Sequence, residues 1–269
     1  MPASQIAFLG AGNMASAMVD GLLAQNPDAR STLTCYSASG RTSAALAART
    51  GIHVSNTLDA LLADADVVVI AFKPQHLASA DPRLADLTAG KLVLSVLAGK
   101  RLSTLAKTFP RARNIVRTMP NTPAAIGAGI TPYCTLSPLS PADRTAVETL
   151  LSACGSHLEL AEEHMNAVTA LSGGGPAFLF EFVAALRDAG VAANLPPDVS
   201  ARLATETVLG AARLLARRQI DPETLRNQVT SPNGTTLAGL KKMEAGHFRA
   251  VIRDTILAAQ SRAAELSQD

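Results

Sequence analysis

The fold of the first half of this 269-residue chain is decided by the stretch QIAFLGAGNMA, residues 5–15. An apolar run ends in a Gly-x-Gly-x-x-Ala pattern, and a helical pattern follows from Met14 to Gln25. In this context Gly10 permits a tight turn, Gly12 lets the backbone approach a pyrophosphate, and Ala15 packs the helix against the strand. The free N–H groups at the helix start then bind the phosphates. The stretch therefore predicts a dinucleotide site.

Short apolar runs alternate with helical patterns up to about residue 160, which is typical of a parallel sheet covered by helices. The predicted strands are Gln5–Leu9, Thr32–Ser37, Val67–Ala71, Leu92–Ser95, Asn114–Thr118, Gly129–Cys134 and His157–Leu160. Helical patterns such as Arg41–Arg49 and Leu102–Lys107 are long enough to connect parallel strands. We expect residues 1–161 to form an α/β Rossmann-like domain that binds the nucleotide.

Residues 162–269 show no further strand pattern and are rich in alanine and leucine, which predicts an all-helical second domain. The predicted helix from Pro176 to Leu186 carries one charged residue, Glu181, so it is apolar nearly all round. A domain of this size offers little internal volume for such a helix. We expect a second subunit to cover it, and a self-contained helical bundle is the alternative.

Composition limits the partners. The net charge of +2 comes from 24 basic and 22 acidic residues spread along the chain, which argues against nucleic acid. The longest purely apolar runs are shorter than a bilayer crossing needs, and no signal peptide is visible, so a cytoplasmic protein without membrane contact is expected. Three widely spaced cysteines, Cys35, Cys134 and Cys154, are interpreted as reduced core residues rather than as a disulfide or metal framework.

Cofactor choice is read at the end of the second predicted strand, where the chain runs YSASGR, residues 36–41. No carboxylate is present to hold ribose hydroxyls, whereas Ser37, Ser39 and the Arg41 guanidinium suit a 2′-phosphate. NADP(H) is therefore favoured, with NAD(H) still open. Arg41 could also be an ordinary solvated residue in the first turn of the next helix.

Two further segments follow predicted strands at the edge where ligands of such sheets bind. Lys73, in the run Ala71–Pro74, is expected to reach ribose or phosphate, although an ordinary surface lysine is the alternative. Asn121 and Thr122 lie between two prolines and can hydrogen-bond a nicotinamide carboxamide, or they form a plain rigid turn.

The helical half contains two polar, glycine-rich segments that a simple bundle does not need: LSGGGPAF, residues 171–178, and VTSPNGTTLAGL, residues 229–240. Hydroxyls of Ser231, Thr235 and Thr236, together with the N–H groups that start the next helix, could bind a carboxylate without a basic side chain. The alternative is an N-cap turn in which Thr235 or Asn233 only caps the helix.

The segment from Pro222 to Glu244 resembles the signature of the pyrroline-5-carboxylate reductase family, and the other motifs follow in the family's order. The resemblance implies an NADP-binding domain, a helical dimerisation domain, pockets built with helices from two protomers, and in some members larger assemblies of dimers. Gly174 and Asn233 depart from the family's usual Ser and Gly, and asparagine is the residue that best replaces glycine at positive φ.

The implied reaction is hydride transfer from NADPH to the C=N carbon of 1-pyrroline-5-carboxylate, which gives L-proline. By resemblance Thr236 hydrogen-bonds the ring nitrogen as the catalytic residue, and the substrate carboxylate is bound by Ser231, Gly234 and Thr235. The residues expected to bind the cofactor are Gly10, Gly12, Asn13, Met14, Ser37, Arg41, Asn56, Ala71, Lys73, Pro74 and Asn121. Rival interpretations are another Rossmann-type imine or 3-hydroxyacid reductase, for which Lys241 or Lys242 could serve, or a non-catalytic NADP-binding protein.

Overall fold

A computed structural model describes residues 4–268 of the chain, and its contacts divide these residues into two compact units. The first unit comprises residues 4–174 and 259–268, and the second comprises residues 175–258. The first unit contains a single eight-stranded sheet. Its strands are β1 (Ile6–Leu9), β2 (Leu33–Tyr36), β3 (His53–Val54), β4 (Val67–Ile70), β5 (Leu92–Ser95), β6 (Asn114–Thr118), β7 (Gly129–Thr135) and β8 (Gly155–Glu159).

The sheet has the order β3-β2-β1-β4-β5-β6-β7-β8, so the chain reverses its direction of winding beside β1. The α-helices of the first unit are α1 (Asn13–Gln25), α2 (Arg41–Thr50), α3 (Leu58–Leu62), α4 (Leu84–Leu87), α5 (Leu102–Thr108), α6 (Pro141–Ser152) and α7 (Met165–Val168). Ligands of doubly wound sheets bind where the carboxyl ends of the strands meet at such a reversal. The Rossmann-like prediction for this half is confirmed.

All seven predicted strands are present, and no end differs from its predicted position by more than two residues. The prediction of a parallel sheet is wrong at β7, which runs antiparallel to β6. The connection between them, residues 119–128, is too short for the crossover that a parallel pair needs. Strand β3 was not predicted, because its two residues are exposed and show no apolar pattern.

The core of the first unit lies on both faces of the sheet, because successive strand residues point to opposite sides. Val67 and Val69 pack with Met18 and Leu22 of α1 on one face. On the other face, the neighbouring strand residues pack with Leu62 of α3, Leu105 of α5 and other apolar side chains. Parallel strands covered on both faces read as continuous apolar runs, which is why β4 is all valine and isoleucine.

The three cysteines, Cys35, Cys134 and Cys154, are free thiols and all are buried, as the sequence predicted. Burial raises the pKa of each thiol from 9.0 to about 11. At pH 8 we therefore expect none to react with Ellman's reagent in the native protein, and all three to react in denaturant. Since the folded chain favours the protonated thiols, their contribution to stability is complete below pH 9 and is lost as the pH rises towards 11. Native-state labelling at pH 8 would contradict this placement.

The contact boundary after Gly174 differs from the boundary at 161/162 drawn from sequence. Residues 162–174 pack on the first unit: Met165 is buried there, and the Glu162 carboxylate accepts hydrogen bonds from the Leu102 N–H at 2.7 Å and the Arg117 guanidinium at 2.8 Å. Sequence patterns record where strand signals stop. They do not record which following helix packs on the sheet.

The second unit is helical. Its last helix extends beyond the unit, because residues 259–266 of that helix are counted with the first unit. Its helices are α8 (Gly175–Ala192), α9 (Pro197–Arg218), α10 (Pro222–Gln228), α11 (Thr235–Ala245) and α12 (Phe248–Leu266). Helices α8 and α9 pack closely, because the Ser200 hydroxyl donates to the Arg187 carbonyl at 2.6 Å and Gly190 has no side chain to separate the helices.

Helix α8 contains no buried residue, although it is the apolar helix that the sequence singled out. Leu179, Phe180 and Phe182 are all exposed, with Phe180 at 65%. The chain by itself therefore does not supply the self-contained bundle that was the alternative prediction. By length and composition alone, the stretch Glu162–Ala192 is also long and apolar enough to cross a membrane.

Candidate active site

The turn after β1 requires glycine at position 10. Gly10 has φ of +107°, and a Cβ added there would lie 2.4 Å from backbone atoms of Ala71 and Phe72. Its N–H donates to the Tyr36 carbonyl at 2.9 Å, and the Ala71 N–H donates to the Leu9 carbonyl at 2.8 Å. The structure thus brings the ends of β1, β2 and β4 into direct contact at one edge of the sheet.

Gly12 leaves the start of α1 open. It is the N-cap residue, in extended conformation with φ of −83°, and no side chain caps the helix. A Cβ added at Gly12 would meet nothing within 4 Å. The first-turn N–H groups, which begin at Asn13 and Met14, therefore face open space that suits a pyrophosphate.

The end of β2 leads into α2 through a turn that positions hydroxyls and a cation. The Ser37 hydroxyl accepts a hydrogen bond from the Ser43 N–H at 3.1 Å and pairs with the Ser43 hydroxyl at 3.0 Å. Gly40, with φ of +69°, caps α2, and Arg41 is its exposed first residue. Asn56 is exposed at the end of neighbouring β3. These residues form the part of the edge where the sequence predicted a 2′-phosphate.

Lys73 and Pro74 follow β4, next to the fingerprint turn. Lys73 is exposed and extended, and it precedes the short 3₁₀ helix Pro74–His76. Within residues 4–268, neither Lys73 nor Arg41 forms an ion pair with a carboxylate of the protein. These two cations lie at the sheet edge where α1 begins, and no carboxylate of the described residues neutralises them. They therefore favour a ligand with several phosphate charges.

Asn121 follows β6 at the same edge, but its side chain is already engaged. Its Nδ2 donates to the Ser172 carbonyl at 3.2 Å, and its Oδ1 accepts from the Ile130 N–H at 3.0 Å. The amide that sequence reasoning assigned to the nicotinamide carboxamide thus forms two bonds within the protein. No local sequence pattern indicates either partner, since they lie 51 and 9 residues away.

In the second unit, the polar loop 231–234 leads into α11. Asn233 has φ of +60°, the conformation for which asparagine was expected to replace glycine. Gly234 is the N-cap of α11 and has no side-chain capping bond, and a Cβ added to it would lie 2.4 Å from the Ser231 hydroxyl oxygen. Ser231, Thr235 and Thr236 are exposed. Neither Thr235 nor Asn233 caps the helix, so the simple N-cap alternative does not describe this loop.

An ion pair formed by a buried arginine was missed by sequence reasoning. The Arg117 side chain, 5% exposed in the middle of the sheet, pairs with Glu162. The available signal was a charged residue inside the apolar strand pattern at Ile115 and Val116. Its partner could not be deduced, because Glu162 lies 45 residues further along the chain.

Both halves of the chain match models of known protein families. A family model described as NADP oxidoreductase coenzyme F420-dependent matches residues 5–99, and one described as pyrroline-5-carboxylate reductase dimerisation matches residues 162–266. A pyrroline-5-carboxylate reductase from Pseudomonas aeruginosa is 38% identical, over 100% of this chain and 98% of the relative.

Solved structures lead to the same family. A pyrroline-5-carboxylate reductase from Coxiella burnetii superposes with a TM-score of 0.93 at 32% identity and covers 99% of both chains. A pyrroline carboxylate reductase from Plasmodium falciparum, solved with NADP bound, has a TM-score of 0.86 at 27% identity, over the full length of both chains. The chain therefore belongs to the pyrroline-5-carboxylate reductase family.

Proposed function

We propose that this chain reduces 1-pyrroline-5-carboxylate to L-proline with NADPH. The observation that carries the proposal is family membership over the whole chain, combined with an open nucleotide turn at Gly12. NADPH supplies a hydride to the C=N carbon, and the protein must bind and orient both reactants. The alternatives of a 3-hydroxyacid reductase or a pure NADP-binding protein gain no support from the geometry of the site.

We propose that different groups of the cofactor bind at different positions along the sheet edge. Gly10, Gly12, Asn13 and Met14 are proposed to receive the pyrophosphate at the start of α1. Ser37, Arg41 and Asn56 lie on the β2 and β3 side, where we place the adenosine ribose and its 2′-phosphate. Ala71, Lys73 and Pro74 follow β4 and are proposed to contact the remaining ribose and phosphate groups.

The loop 231–234 and the first turn of α11 are proposed to bind the substrate. A carboxylate suits the uncapped N-terminus of this helix, with the Ser231 and Thr235 hydroxyls as further donors and Gly234 leaving the approach unobstructed. The Thr236 hydroxyl has no partner among residues 4–268 and is proposed to hydrogen-bond the ring nitrogen. A protonated imine is a better hydride acceptor than a neutral one, so no strong acid is required in this loop.

The direct test is the loss of NADPH absorbance when pyrroline-5-carboxylate is added to the purified protein. We expect rapid oxidation with proline as the product, and slower oxidation of NADH. Nucleotide binding without turnover would overturn the proposed activity and favour a binding protein or a different imine substrate.

Thr236→Ala should lower kcat for imine reduction roughly tenfold to a hundredfold, because the hydrogen bond to the ring nitrogen is formed at the reacting centre. Affinity for NADPH should stay close to that of the wild type. The measurements are steady-state kinetics and a fluorescence titration with NADPH. Thr236→Ser keeps the hydroxyl and should restore most of the rate; equal losses of rate and of NADPH affinity in Thr236→Ala would disprove the role.

Arg41→Ala should raise the KM for NADPH roughly tenfold or more and leave the KM for NADH nearly unchanged, because only NADPH carries the 2′-phosphate. Arg49→Ala is a matched control, since Arg49 lies on the same helix, is exposed and pairs with Asp20. The control should alter neither constant. If Arg41→Ala changed both cofactors alike, Arg41 would be an ordinary surface residue.

We further propose that the chain is a homodimer in which the exposed apolar face of α8 is covered by the partner, with larger assemblies of dimers as an extension. We also propose that residues 1–161 form the nucleotide domain and that residues 162–269 bind the substrate and form the dimer. Light scattering in solution tests the assembly.

A cytoplasmic location without nucleic acid or membrane contact remains part of the proposal, and cell fractionation tests it.

A further inference from the structure

Asn121 connects three segments at the ligand-binding edge of the sheet. It follows β6, and its Oδ1 accepts from Ile130 near the start of β7. Its Nδ2 donates to the carbonyl of Ser172, which lies in the π-helical turn Thr169–Gly173. Because β7 is antiparallel to β6, its start lies at this same edge.

The Ser172 carbonyl has no α-helical donor further along its own segment. In a continuing α-helix it would accept from the N–H four residues later, but that residue is Pro176, which has no N–H. Ser172 is half-buried, and a carbonyl shielded from water without a hydrogen-bond partner is costly. The Asn121 amide therefore takes the place of the donor that the proline cannot supply, and stabilises a turn of a type that often occurs at functional sites.

The same turn packs against the residue that directly follows β6. A Cβ added at Gly173 would lie 2.7 Å from the Met119 terminal methyl carbon, so only glycine allows this approach without displacing that side chain. Beyond Asn121, the 3₁₀ helix Thr122–Ile126 packs against α1, and its Ala124 is buried in that core. The π-helical turn, the loop after β6 and the fingerprint helix are therefore in continuous contact.

The direction of the dinucleotide makes this position important. If Arg41 beside β2 receives the 2′-phosphate, the nicotinamide half extends the other way from the Gly12 turn, across β4 and β5 towards β6. This step rests on the proposed function. It places the reacting ring near Met119 and the segment 171–174.

We propose that Asn121 is a positioning residue for hydride transfer. Through Ser172 it fixes the backbone of residues 171–174 against Met119, and through Ile130 it fixes the loop after β6. Its effect on turnover comes from the placement of these groups and not from a bond to the nicotinamide carboxamide.

The experiment compares Asn121→Ala and Asn121→Asp with Asn114→Ala in the full-length protein. Asn114 begins the same strand, is buried, and its amide joins Ile115 and Ser137 at the opposite edge, so it is a matched structural control. Asn121→Asp keeps an acceptor for Ile130 but loses the donor to Ser172. Amide hydrogen exchange, NADPH affinity and steady-state kinetics are measured for each.

In both Asn121 variants we expect exchange of the peptide covering residues 169–175 to accelerate roughly tenfold, the effect of losing about one hydrogen bond. In Asn121→Asp the β7 peptide should exchange as in the wild type. We expect kcat to fall roughly tenfold to a hundredfold, and the Kd for NADPH to change less than about threefold. Asn114→Ala should lower thermal stability without either local effect.

Two results would overturn the proposal. One is unchanged exchange at 169–175 with a Kd for NADPH raised about tenfold or more, which would make Asn121 a direct cofactor ligand. The other is equivalence of the Asn121 and Asn114 variants in every readout, which would make the role merely structural. If the wild type did not reduce pyrroline-5-carboxylate at all, the exchange and NADPH-binding measurements would still decide between these roles, separately from the proposed activity.

Discussion

Gly12→Ala should lower the affinity for NADPH roughly tenfold to a thousandfold while leaving the unliganded chain about as stable as the wild type. The added methyl would project into open space, where nothing in the protein lies within 4 Å, and φ of −83° suits alanine. The pyrophosphate would be kept away from one or two N–H groups of α1. A charge-assisted hydrogen bond contributes about 1.5–3 kcal/mol, and each 1.4 kcal/mol is a factor of about ten in affinity.

A fluorescence titration with NADPH and a thermal melt without ligand check both parts of this expectation. Gly10→Ala is the informative comparison, because the Cβ there would clash with the Ala71–Phe72 backbone and the backbone has φ of +107°. That variant should lose thermal stability as well as affinity. Unchanged NADPH binding in Gly12→Ala would show that the pyrophosphate does not approach this turn.

Gly21→Ala should lower the free energy of unfolding by about 3 kcal/mol, the upper end of the usual cost of overpacking a core. Inside a helix this substitution ordinarily stabilises a protein by about 1 kcal/mol. The sign reverses here because the new Cβ would lie 1.9 Å from the Ala153 carbonyl oxygen, where α1 meets the end of α6. Neither backbone can yield without moving a helix that covers the sheet.

Thermal and denaturant melts of the unliganded protein measure the effect. Asp20→Ala is the control, since Asp20 adjoins Gly21 on α1 and its half-exposed side chain pairs with Arg49 at the surface. Surface ion pairs of this kind contribute about 0–1 kcal/mol, so the control should be nearly neutral. A Gly21→Ala variant as stable as the control would show that α1 and α6 are further apart than the structure has them.

The strands were predictable because they are local and because the first unit is layered. Runs such as Val67–Ile70 are buried on both faces, and continuous apolar sequence is the direct consequence of that burial. Strand β3, with only His53 and Val54, carries no such record. The reversed direction of β7 follows from the length of one connection, which apolar patterning does not reveal.

The nucleotide turn was predictable for a different reason. The backbone geometry at Gly10 excludes any side chain, so the turn requires glycine there. That glycine and its spacing from Gly12 and Ala15 are visible in the sequence. The loop before α11 is similar, because Asn233 at φ of +60° and Gly234 next to the Ser231 hydroxyl are local necessities. The roles of Ser231 and Thr236 towards a substrate remain predictions.

By itself the sequence determined the two-part organisation, the strand-turn-helix that receives a dinucleotide, the buried thiols and the family, because each depends on neighbouring residues. Only the tertiary structure decided that Glu162 pairs with Arg117, that α8 lacks cover within its own chain, and that the Asn121 amide is bonded to Ser172 and Ile130. These are contacts between residues far apart in the chain or with solvent. No local pattern predicts them, because the identity of a hydrogen-bonding residue does not show which partner the fold places beside it.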